Sequence, residues 1–85
     1  MTKKQEEIKS FIVKNVHEKW NDVLFDSACP YSDGSLGLTF CVCVDHGVNI
    51  IVAVIIERKD DYYDALGRIN ERIAWTFASE HLRNV

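Results

Sequence analysis

The sequence predicts an α+β fold: helix, a candidate short edge strand, β-hairpin, helix, packed in two layers. Three observations carry that prediction. Apolar residues recur at helical spacing near the start of the chain and again after residue 61. Between these segments, residues 38–56 read LTFCVCVDHGVNIIVAVII and are apolar at odd and even positions alike, apart from Asp45, His46, Gly47 and Asn49. At 85 residues the chain makes one domain, 1–85, with no room for a second core. A domain this small buries about 60% of its unfolded surface, which leaves it marginal without a staple or a partner.

The first helix is expected from Lys3 to about Glu18. Ile8, Phe11, Ile12, Val16 and Val23 fall on one side at about 100° per residue. Thr2 and Gln5 have capping-box spacing, and Glu6 and Glu7 suit a helix start, whereas Lys3 and Lys4 oppose the dipole there. Lys19 lands inside the apolar stripe. The following NDVLFDSACP therefore reads equally as a last helical turn or as a short edge strand over 22–28. CPYSDGS is turn chemistry, with Pro30 fixing φ and Asp33-Gly34 supplying a tight reversal.

Leu36–Val44 and Asn49–Ile56 are β-branched and aromatic runs, and His46-Gly47 suits a two-residue hairpin turn between them. A membrane span is excluded because Asp45 would lie near the centre of the run, at a cost of about 2.5–3.5 kcal/mol. The last helix is expected from Asp61 to about Arg83. Asp61 and Asp64 suit its cap and first turn, and Tyr62, Leu66, Ile69, Ile73 and Phe77 form its stripe. Trp75 and Leu82 point to the opposite side.

A two-residue turn at His46-Gly47 fixes the pairing by counting. Leu36, Leu38, Phe40, Val42 and Val44 then share a face with Ile51, Ala53 and Ile55. Thr39, Cys41 and Cys43 share the other with Val48, Ile50, Val52, Val54 and Ile56. Both faces are apolar and both need cover. The helices sit one on each face, or a second copy stacks on the free face or extends the sheet, or another protein covers it. A two-stranded sheet is narrow, which favours the second copy. The expected partners are therefore the chain itself, as a homodimer through Ile50, Val52 and Val54, and an unidentified protein. Trp75, Leu82, Arg68 and Arg72 are the expected contacts for that protein, because tryptophan and arginine dominate binding hot spots.

Ten basic against thirteen acidic residues, interspersed, give a net charge of −3. The absence of a basic stripe argues against nucleic acid as a partner. Three cysteines are too few for a disulfide framework and favour a reducing, cytoplasmic setting. MTKKQEEIKS has no apolar signal-peptide core. Cys41-Val-Cys43 points two thiols the same way from a strand, too rigidly to curl round a metal ion. Both are expected as core side chains, with no metal and no cofactor bound. Cys29 with one of His17, His46 or His81 lacks an orienting group for nucleophilic chemistry.

Glu57-Arg58-Lys59 at a strand end, with Asp33 before the neighbouring strand, is similar to the pattern of the PD-(D/E)xK nuclease superfamily. That resemblance implies a helix, three strands and a helix, with Asp33 and Glu57 holding Mg²⁺ and Lys59 steadying the phosphate or its water. Arg58 stands where that family has an apolar residue, and no strand follows the last helix. The nuclease is the alternative. The main expectation is a small non-catalytic protein-binding domain of inhibitor or adaptor type, acting by surface occupation. Small acidic domains of this kind are common among phages and mobile elements.

Overall fold

A computed structural model describes residues 1–44 and 47–83, with side chains described through Glu80. Asp45 and His46, expected in the turn, lie outside the described residues, as does the side chain of Leu82. The elements run α1 (Lys3–Lys19), β1 (Val23–Pro30), β2 (Leu36–Cys43), β3 (Asn49–Ile56) and α2 (Tyr62–Arg83). The strands form one antiparallel sheet in the order β1-β2-β3. This is a two-layer α+β fold, with both helices on one face of the sheet.

The candidate edge strand is a full eight-residue strand, and it makes the sheet wide enough to seat two helices side by side. α1 lies toward β1 and α2 toward β3. Trp20, the C-cap of α1, joins the helices: its indole stacks on Phe77 at 5.6 Å and donates from Nε1 to Asn70 Oδ1 at 3.0 Å. At the other end of the helix pair, Phe11 meets the rings of Tyr62 and Tyr63.

The helix ends follow their caps. Thr2 Oγ1 accepts from Gln5 N, and Gln5 Oε1 accepts from Thr2 N, which closes the capping box. The same Gln5, buried, donates through Nε2 to Ser35 O at 2.8 Å and so ties the start of α1 to the β1–β2 turn. In that turn Asp33 Oδ1 accepts from Ser35 N and Oγ, and Gly34 takes a φ of 92°. The Arg58 side chain packs over it, 2.9 Å from where a Cβ would stand, and would have to shift for any larger residue. Asp61 caps α2 through Tyr63 N at 2.9 Å.

The hairpin register differs from the two-residue turn expected at His46-Gly47. Val44 N donates to Val48 O, and Leu36 pairs with Ile56, Phe40 with Val52 and Val42 with Ile50. Three residues therefore separate the paired Val44 and Val48, and Gly47 (φ 75°) occupies the left-handed position that ends such loops. One extra loop residue exchanges the two faces of β3 relative to β2. Val52 is thus 2% exposed, among Leu38, Phe40, Ile12 and Ile69, instead of lying on a free face. Ile50 and Val54 share its side of the sheet and are half-buried, so the dimer contacts expected at Ile50, Val52 and Val54 do not lie on the uncovered face.

Adjacent substitutions test this register. Val52→Lys places an unpaired charge in the core and should unfold the protein, whereas Ile51→Lys should keep a cooperative thermal transition by circular dichroism. Equal damage from both would contradict the pairing.

Candidate binding surface

The helix-free face of the sheet follows from the same pairing. Its cross-strand rows are Leu24–Cys41–Ile51, Ser27–Thr39–Ala53 and Cys29–Gly37–Ile55. Leu24 is 58% exposed, and Ile51 and Ile55 are 57% exposed each, on a face that neither helix covers. Contiguous exposed aliphatic side chains on a small domain mark a contact surface. Tyr31 lies across Gly37, its ring 3.5 Å from where a Cβ would stand. The contact of Tyr31 with Cys29 holds the phenol above its ordinary pKa.

The cysteines sit on this face and not in the core. Cys41 and Cys43 are half-buried and Cys29 is exposed. Partial burial, then the neighbouring Cys43, raise the pKa of the Cys41 thiol. Because the thiolate is the nucleophile, Cys29 should react with iodoacetamide at neutral pH before Cys41 does. Peptide mapping by mass spectrometry would show the order, and a Cys41 that reacts first would contradict it.

Of the side chains expected to bind a partner, Trp75 is 69% exposed and Arg72 is exposed. Arg68 is engaged within the chain. Its Nη2 donates to Ile55 O at 3.0 Å and to Asp60 Oδ2 at 2.9 Å. No pattern in the sequence singled out Leu24, Ile51 and Ile55, because they emerge only once the register and the third strand are known.

Asp33, Glu57 and Lys59 line one open cleft of about 740 Å³, together with Tyr31 and Arg58. They do not fit the metal chemistry that the nuclease resemblance implies. Asp33 is committed to Ser35, and Glu57 pairs with Lys59 at 3.4 Å. Among the described residues, no three acidic, histidine or cysteine side chains converge as a metal site.

No protein-family model, curated protein or solved structure matches the chain. No helix among the described residues is long and apolar enough to cross a membrane.

Two carboxyls give the fold an acid limit. Arg68, then the Glu57 N–H, hold Asp60 below the usual carboxylate range, and the Ser35 hydroxyl and N–H do the same for Asp33. A depressed folded pKa contributes stability at neutral pH that is lost as pH falls below about 4, through the folded values. Asp60→Asn should therefore lower Tm at pH 7 and shrink the Tm difference between neutral and strongly acidic buffer. An unchanged difference would show that the Asp60–Arg68 pair carries none of it.

Proposed function

We propose that this is a non-catalytic protein-binding domain of inhibitor or adaptor type, which acts by occupying a partner's surface. One observation carries the proposal: a three-stranded sheet face presents Leu24, Ile51 and Ile55 to solvent with no cover from either helix. Leu24, Ile51 and Ile55 stand on the outer strands of this face around a middle row that carries the polar Ser27 and Thr39, a mixture of apolar area and hydrogen-bonding groups that suits a protein partner. The interspersed charge and net −3 give no support to a nucleic-acid partner. A cytoplasmic setting suits three free thiols.

The test is capture from a lysate of the source organism, using immobilised wild type and Leu24→Glu/Thr39→Arg. Both substitutions lie on the open face, away from the core. The double variant should keep its Tm and lose the specifically captured protein. Capture of the same protein in equal amount by both would overturn the assignment of this face.

The shared cleft of Asp33, Glu57 and Lys59 is the one observation that favours the nuclease alternative. Incubation with plasmid and Mg²⁺ separates the two. The binding domain leaves the plasmid intact, whereas a nuclease nicks it and loses that activity in Glu57→Ala and Lys59→Ala.

A further inference from the structure

The two edges of the sheet are unlike. Along β1, the outward Phe25 N–H donates to His17 Nε2 at 3.3 Å, a bulge breaks the register between Phe25 and Ser27, and Pro30 at the end has no N–H. These are the devices that stop a strand edge from pairing. β3 has none of them along most of its length. It pairs with β2 over eight residues without a bulge, and NIIVAVII carries no charge and no proline. The Ile55 carbonyl points away from β2, since it accepts from Arg68. Antiparallel alternation then aims the N–H and C=O of Ala53 and Ile51 outward as well.

The helix above this edge adds a second observation. Asn70 and Phe77 face α1, through Trp20. Arg68, on the opposite flank of α2, reaches down to the β3 edge at Ile55. Trp75 follows Arg68 by seven residues, two turns and ~10 Å along the same flank. Since α2 returns along β3 after the 57–61 link, that distance corresponds to about three strand residues and sets Trp75 near the level of Val52. An indole 69% exposed therefore overhangs the open part of the edge.

We propose that β3 pairs edge to edge with β3 of a second copy, antiparallel about a two-fold axis at Val52, with the two Trp75 side chains meeting beside that axis. The inference rests on the protein-binding reading and names a second copy of this chain as one partner. Ile51 then lies opposite Ala53 of the partner subunit, and their outward N–H and C=O groups bond reciprocally. About this axis the carbonyl that Arg68 occupies falls in the outer pair, Ile55 opposite Asn49 of the partner subunit, whereas an axis at Ala53 would set it against the inner Ile51. The contact strip is ~27 Å long, from eight residues at ~3.4 Å each, and about 20 Å deep, the thickness of the two layers. That is on the order of 500 Å² per copy, or ~1,000 Å² in total, the lower bound for a biological interface. The result is one six-stranded sheet with all four helices on one side and the open face still free.

Light scattering on wild type at micromolar concentration should give the mass of two chains. Trp75→Ala, at an exposed position, should keep its fold and weaken self-association roughly 30-fold or more, as expected of a hot-spot residue. Ala53→Pro removes an N–H that β2 does not use and should yield a monomer. Amide exchange supplies a readout that survives if this variant fails to fold: Ile51 and Ala53 amides should be protected in wild type and exposed in Trp75→Ala. A wild-type monomer overturns the proposal, including one that accepts an extended strand of another protein at β3. So does a dimer that Trp75→Ala leaves intact but Leu24→Glu/Thr39→Arg dissolves, which would mean face-to-face stacking. Capture through the open face should persist in Trp75→Ala, so loss of the dimer and loss of the binding face are read separately.

Discussion

Everything else in the molecule depends on how β3 registers against β2. The pairing of Leu36, Leu38, Phe40 and Val42 with Ile56, Val54, Val52 and Ile50 gathers the larger apolar side chains onto one face. That face is broad enough for two helices, and Ile8, Ile12 and Val16 from α1 and Ala65, Ile69 and Ile73 from α2 complete the buried cluster. The opposite face is left with Gly37, Thr39, Asn49 and Ala53, among which Leu24, Cys41, Ile51 and Ile55 stand out as the larger apolar members. A slip by a single residue would scatter both sets. The length of the 45–47 loop is therefore worth more to the fold than any one side chain in it.

Much of the fold was legible in the chain. Thr2 with Gln5 marked the start of α1, Asp61 that of α2, and the turn at Asp33-Gly34 reads directly from its residues. Two things were not. β1 carries Asp26 and Ser27 on an edge beside a bulge, so its alternation is broken where a periodic pattern would have announced it. The hairpin turn hinged on whether Gly47 closes a two- or a three-residue loop, which glycine alone does not decide. The deciding signal was present in composition: only the longer loop collects Gly37, Thr39, Asn49 and Ala53 on one side. The open face was illegible because it emerges only once that register and the third strand are known. Trp75 was legible because a helical wheel needs no knowledge of partners.

The nuclease resemblance extends to the order of the elements, although no strand follows α2 among the described residues. Helix, three strands and helix are all present, and the three residues do share a cleft. Yet Asp33 is already engaged in its turn, and among the described residues no three acidic, histidine or cysteine side chains converge there. Fold and chemistry are separate questions.

The clamp between Trp20 and Asn70 spans fifty residues of chain, which sets an order on biosynthesis. As the chain leaves the ribosome, α1 and the three strands emerge before α2. Until α2 follows, Phe40, Val52 and Ile56 are missing the Ile69 and Ile73 side of their cover. During that interval the sheet is apolar on both faces, and its unguarded edge belongs to β3, the strand most recently made. A nascent chain of this design is thus most exposed to misassociation after β3 has emerged and before α2 has, and the arrival of one helix closes that window.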